Sequence, residues 1–330
     1  MANIEFLRLK MQEENPFIER QLQFLMSLDI SIDEIILRLE KALPESSTLK
    51  ILKQHYRTTG KLSKALKEAK LFIQDPEFIE LLAFNEVENK QNYQAFETYR
   101  KDKEDLVCLI QLLKTKLLNN LEYALILLVI STVVATIFYF KVIPEFSELF
   151  ESFDVQLPAL SEAFFNWNNQ ILNPMVIGFI LLSITMALFQ LLDRKNTVHY
   201  ILNEQGLVIK LPFFKKIKKH IQNYKILIFL KYLLLNQHNE DKVFIYIKNK
   251  LIILEKNDAL LYKELIDAKK VGALINEVNY QVKQYYINGE VLFTKVTKYI
   301  SSIFLFLSFG YIASNIITIY LPIFQLGDII

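Results

Sequence analysis

One cysteine, Cys108, excludes an intramolecular disulfide and any metal cage made of thiolates alone. Seven glycines and eight prolines are few for 330 residues. That scarcity leaves little material for tight turns and points to helices with short connections. Neither sign of charge prevails: 38 Lys and Arg against 36 Asp and Glu give a net charge of +2. Global charge therefore provides no footprint for nucleic acid. The sequence has no G-x-x-x-x-G-K-[ST] loop to cradle a nucleotide and no H-E-x-x-H. His55, His199, His220 and His238 are scattered without ligand spacing and read as surface or core histidines. Glu13-Glu14 and Glu40/Glu45 read as solvated helix faces, and Cys108, inside the apolar run Leu106 to Leu113, as a packed thiol. No cofactor, bound metal or enzymatic chemistry is expected.

What the chain does have is apolar mass. Hydrophobic residues make up 52% and mean hydropathy is +0.22, yet 22% of the residues are charged. Such a mixture predicts soluble segments joined to membrane-spanning ones. The first apolar cluster, Ile4 to Leu9, is interrupted by Glu5 and Arg8, so no signal peptide is expected.

Residues 1–118 carry no long uninterrupted apolar run and read as a first helical domain. Asn15-Pro16 has the form of an N-cap followed by proline at the first helical position. Phe17, Ile18, Leu22, Leu25 and Met26 follow at helical spacing, and Ile32, Ile35, Ile36 and Leu39 give a second amphipathic helix. Asp75-Pro76 repeats the cap-plus-proline start, and a last helix is predicted from Tyr93 to about Leu118. No segment reads convincingly as a strand.

The first span is predicted over 119–141. About 20 apolar residues cross a bilayer core, and each central Leu, Ile, Phe or Val contributes roughly −0.3 to −0.6 kcal/mol of insertion free energy. Ser131/Ala135 and Thr132/Thr136 line one side with small residues, which suits close helix packing. An acidic loop over 142–172 follows, then a second span over 173–193. Lysine and arginine are abundant before the first span and after the second, and nearly absent between them. The positive-inside rule then puts the N-terminal domain in the cytoplasm and the acidic loop outside.

Residues 194–298 read as a second cytoplasmic helical domain, with a long helix opened by Pro212 and a basic run Lys215, Lys216, Lys218 and Lys219. The run reads equally as a solvated face or as a contact for anionic lipid or an acidic partner. The order of proline-started helix, polar turn and later helices echoes the first block, a weak internal repeat with a degenerate second copy. A third span is predicted over 299–324, with Gly310, Ser314 and Thr318 as a packing stripe and a short external tail at 325–330. The predicted fold is an all-α membrane protein. It has two cytoplasmic bundles of about six helices each and three transmembrane helices, N-terminus inside and C-terminus outside.

At three places the chain resembles the type II secretion system protein F family, the platform proteins of bacterial type II secretion and type IV pilus machines. The exit from the first span carries Pro144 and Phe146, then Leu157-Pro158 and Ser161. The C-terminus carries Leu321-Pro322 and Phe324. The helices Arg20 to Leu28 and Leu211-Pro212-Phe213 to Tyr224 match at a coarser level. Departures stand beside these. Asp29 and His238 occupy turns where the family has glycine, and the Glu-Pro pair that often precedes the last span is missing. Of the Gly-Glu pair found late in each family domain, the first block keeps only Glu86 after Asn85, while Gly289-Glu290 lies close to the third span.

The resemblance implies a multi-pass protein of the bacterial inner membrane. It implies a cytoplasmic hexameric ATPase, pilin or pseudopilin subunits, other inner-membrane assembly proteins, membrane lipid and further copies of itself as partners, with no direct nucleic-acid contact. Glu86 and the four lysines are then possible partner-facing residues. The reading from another class is a subunit of an oligomeric transporter or channel.

Overall fold

The computed structural model describes residues 15–26, 28, 30–72, 75–87, 94–152, 174–193, 215–236 and 239–329. Every regular element among them is helical. The helices are α1 (15–26), α2 (Ile32–Ala42), α3 (Ser47–Thr59), α4 (Leu62–Glu68), α5 (Pro76–Val87) and α6 (Gln94–Ile137). Then come α7 (Ile143–Ser152), α8 (Pro174–Asp193), α9 (Lys215–Leu235), α10 (Glu240–Tyr246), α11 (Lys248–Asn257), α12 (Ala259–Val271) and α13 (Leu274–Ile329).

The chain divides into two compact units. The described residues of the first lie within 15–109 and 215–290. The two polar blocks, separated in the chain by two predicted spans, thus share one unit. Its helices start and stop where backbone chemistry directs. Ser31, Ser46, Asn239 and Asp258 accept hydrogen bonds from backbone N–H groups of the first turns of α2, α3, α10 and α12. Gly60 and Gly272 close α3 and α12 at φ +63° and +74°, a left-handed conformation that costs glycine no steric penalty. Ile18, Leu22 and Met26 on α1 are buried with Ile35, Ile36 and Leu39 on α2, as their spacing predicts, whereas Phe17 of the same apolar series is exposed and Leu25 half-buried. In the second block α9 is buried almost all round from Ile221 to Leu233 and is the central helix of that block. Each fully buried side chain of this kind contributes about 1.5–3 kcal/mol.

The described residues of the second unit lie within 110–193 and 291–329. It holds the apolar parts of α6 and α13, which are the two helices long and apolar enough to cross a membrane among the described residues. A shorter apolar helical stretch, Ile177–Gln190, lies in α8. Large apolar side chains remain exposed on all three: Ile130 and Ile137 on α6, Phe179 and Ile184 on α8, Phe306 and Ile317 on α13. An exposed apolar perimeter of this kind is what lipid covers in a multi-pass membrane protein.

Three boundaries differ from the sequence reading. The predicted break between a cytoplasmic helix ending near Leu118 and a span starting at 119 is absent, because α6 runs through both as 44 continuous residues. Lys116, Asn119, Asn120 and Glu122 punctuate the junction, but neither a glycine nor a proline interrupts the backbone. Likewise α13 runs 56 residues from Leu274 through the third predicted span and on to Ile329, so 325–329 are helical rather than a tail. The predicted loop 142–172 begins as structure: a π-helical turn, Phe138–Val142, leads into α7, with Pro144 in its first turn where the missing N–H costs nothing.

Candidate functional site

Within the first unit the two blocks meet along a seam of opposite charges. Carboxylates come from α5 and α6 of the first block, and lysines from α9 and α11 of the second. Lys231 Nζ lies 2.6 Å from Asp102 Oδ2, with both side chains only 14% exposed. Lys250 Nζ lies 2.9 Å from Glu80 Oε2, and Lys225 Nζ 3.6 Å from Glu77 Oε1. Tyr232 occupies the middle. Asn85 Nδ2 donates to its hydroxyl at 2.6 Å, and its ring sits 4.9 Å from Phe96 and 5.7 Å from Tyr99. Tyr246 packs on Phe84 at 4.1 Å and donates to the Glu80 carbonyl at 3.2 Å. Burial and the nearby Glu80 carboxylate push the Tyr246 phenol up to about 12, so it stays a neutral donor.

The two blocks repeat one local device. Asp75 caps α5 by accepting from Phe78 N, and Tyr99 on α6 donates to the same carboxyl at 3.1 Å. Asp258 caps α12 by accepting from Leu261 N at 3.1 Å, and Tyr285 on α13 donates to it at 2.8 Å. A capping aspartate tied to a tyrosine of the following long helix therefore occurs once per block. The first copy adds Lys103, paired with Asp75. The second adds Asn223, which donates to the Tyr285 hydroxyl at 3.2 Å.

Around the second copy His220 is half-buried. Its Nε2–H donates to the Tyr285 carbonyl at 2.8 Å, and its ring stacks on Tyr285 at 4.9 Å. Burial holds the imidazole below its ordinary range, outweighing the bond to the carbonyl. Gly289 is what admits this ring: a Cβ there would stand 2.7 Å from His220 Nε2 and 3.2 Å from Leu109 Cδ1. In the first copy the turn between α4 and α5 is strained, with Lys70 at φ +54° and Phe72 at φ +55°. Helix α1 holds it: Asn15 Nδ2 donates to the Lys70 carbonyl at 3.4 Å, and Glu19 accepts from Phe72 N. Burial raises the Glu19 carboxyl above its ordinary value, only partly offset by that bond.

The residues singled out from the sequence fall as follows. Glu86 is half-buried and engaged inside the block, accepting from Ser63 N at 2.9 Å and from the Ser63 hydroxyl at the first turn of α4. Lys215, Lys216 and Lys219 are exposed on the first turn of α9 and Lys218 is half-buried. Pro144 is exposed in α7 and Phe324 is exposed in α13. Phe146, Thr318, Leu321 and Pro322 are described only as helical backbone, while Leu157, Pro158 and Pro212 lie outside the described residues. Cys108, expected as a packed thiol, is exposed, because Leu106, Leu109 and Ile110 take the buried face of α6.

In the second unit a buried polar cluster stands among apolar helices. Asn315 Nδ2 lies 3.5 Å from Ser131 Oγ, and Thr132 returns its hydroxyl to the Leu128 carbonyl at 2.7 Å. Gly178 on α8 lies against this group. A Cβ there would run into the Tyr311 hydroxyl and approach Thr132 Oγ1 to 2.8 Å. Gly310, named from its spacing, is exposed with nothing within 4 Å of its Cβ position, and Ser314 donates to the Tyr311 carbonyl at 2.8 Å. Within this unit a close helix approach falls at Gly178, which its flanking apolar sequence did not single out. Ser131, Thr132 and Ala135 are buried, as their shared helix face predicts.

Among the described residues no group of three or more His, Cys, Asp or Glu is arranged to hold a metal ion. The arrangement is suited to joining two helical blocks and to packing helices in an apolar medium. No protein-family model matches the chain, and no curated protein or solved structure matches it either.

Proposed function

We propose that the chain is an inner-membrane platform protein of a type II secretion or type IV pilus-type machine, without catalytic chemistry of its own. In this reading it crosses the membrane three times, N-terminus inside and C-terminus outside. A cytoplasmic hexameric ATPase acts on the first unit, and pilin or pseudopilin subunits are met in the bilayer. The observation that carries the proposal is the pairing of two like helical blocks, one before the first two spans and one after them, through the Lys231–Asp102 and Tyr232–Asn85 contacts. A paired body of this kind is a receiver for force from an external motor, and α6 and α13 each continue from it into an apolar stretch. The motifs at Pro144, Phe146, Leu321, Pro322 and Phe324 point to the same machines. The exposed Lys215, Lys216 and Lys219 offer charge to an acidic partner surface.

Co-purification with the ATPase from the same cells tests this reading. Binding that is lost on K215E/K216E/K219E, with unchanged thermal unfolding, is the expected result. A folded protein that captures no ATPase would overturn it.

A second reading, a subunit of an oligomeric transporter or channel, is favoured by the Ser131, Thr132, Tyr311 and Asn315 cluster, since buried polar groups in spans often line a pathway. Ion flux into proteoliposomes containing the purified protein alone, abolished by Asn315→Leu, would select this reading over the first.

A further inference from the structure

The repeat within the first unit carries a consequence for its outer faces. The cap of α2, Ser31, corresponds to the cap of α10, Asn239. Counting back from each cap puts Phe17 at the place of Lys225, Gln23 at that of Lys231 and Phe24 at that of Tyr232. The core agrees with this register: Ile18 matches Ile226 and Leu22 matches Leu230, all buried. On the other side of the seam the caps Asp75 and Asp258 correspond, as do the tyrosines bonded to them, Tyr99 and Tyr285. Counting forward from the caps puts Leu260 at the place of Glu77 and Ala268 at that of Asn85, and counting forward from the tyrosines, a register shifted by three residues between the helices, puts Asn288 at that of Asp102.

The substitutions change together. Lys225 paired with Glu77 becomes Phe17 with Leu260, charge with charge giving way to apolar with apolar. Lys231 paired with Asp102 becomes Gln23 with Asn288, two amides. Tyr232 bonded to Asn85 becomes Phe24 with Ala268, so that hydroxyl and amide are lost together. Phe17 is 44%, Phe24 49% and Leu260 68% exposed, and Asn288 is exposed as well. Three matched pairs on two accessible faces are the signature of a seam whose second half belongs to another molecule. We infer that α1 of one copy docks on the α12–α13 face of a second copy of this chain, repeating between molecules the contact that α9 makes with α5 and α6 within one. The contact is heterologous, so it propagates into a ring or an open row rather than closing as a two-fold dimer.

Cross-linking of the full-length protein in lipid nanodiscs tests this in a Cys108→Ser background. Co-expressed, differently tagged Phe17→Cys and Leu260→Cys chains should join through a short bismaleimide, and the double variant should give a ladder of multimers. Joining of Phe17→Cys to itself, linkage only within single chains, or no product would each overturn the inference. A charge exchange gives a second readout. Phe17→Lys or Leu260→Glu alone should lower the associated fraction about tenfold by facing a charge with an apolar group. Together they recreate the Lys225–Glu77 pair and should restore it. Failure of the double variant to recover association, with thermal unfolding unchanged, would also overturn the inference.

Discussion

His220 shows how much one side chain can depend on an absent one. Its ring fits only because Gly289 has no Cβ, and once inside it is held neutral by burial. A base whose folded pKa lies below its unfolded value of 6.5 binds protons more readily when the chain is unfolded. Its contribution to stability is therefore complete above pH 6.5, and it declines as pH falls through the depressed folded value. Urea unfolding of the intact protein should show this loss on acidification. In His220→Gln, which keeps a donor for the Tyr285 carbonyl and cannot titrate, that part of the pH dependence should vanish. Equal acid sensitivity in both proteins would show that the imidazole does not titrate against folding.

At the scale of elements, the contact of α8 with α6 and α13 is set by Gly178. Gly178→Leu places a branched side chain where the Tyr311 hydroxyl and Thr132 Oγ1 already stand. Overpacking of this kind costs about 1–3 kcal/mol, and in detergent it should appear as a lower unfolding temperature. The same substitution at Gly310, which has open space around it, should leave the isolated chain's melting unchanged. That contrast marks what was legible in the sequence. Helix positions, the amphipathic faces of α1 and α2 and the buried Ser131–Thr132 side followed from periodicity and caps. The continuity of α6 and α13 did not, because a predicted change from polar to apolar surroundings alters composition without breaking the hydrogen-bond ladder. Which glycine meets a neighbour was also hidden. Spacing by four describes one helix, while a close approach depends on the partner that arrives. The repeated Asp–Tyr device was hidden for a related reason, since the tyrosine lies on the next long helix and only tertiary structure brings it to the cap.

At the scale of the molecule, the joining of the two blocks rests on pairs that are costly to halve. Lys231→Ala would leave Asp102, at 14% exposure, without its cation. Removing one partner of a buried pair costs about 3–5 kcal/mol, reduced here because some solvent reaches the site. Replacing both, as Lys231→Met with Asp102→Leu, should recover most of the loss. Denaturant titration of the single and double variants checks the expectation, and a double variant as weak as the single one would remove this pair from the account of the seam. Read from the sequence alone, the two blocks are separate domains. The contacts that unite them, Asn85 with Tyr232 above all, link residues too far apart in the chain for any periodic pattern to register.

The order of synthesis gives that seam a history. Asn85, Phe96, Tyr99 and Asp102 leave the ribosome well before Tyr232 and Lys231 exist. Until the later block is made, the earlier one holds a prepared landing place, aromatic and acidic, with its own half of the bargain missing. A nascent chain stalled before α9 should therefore be sticky towards chaperones, and it should lose that stickiness once α9 has emerged.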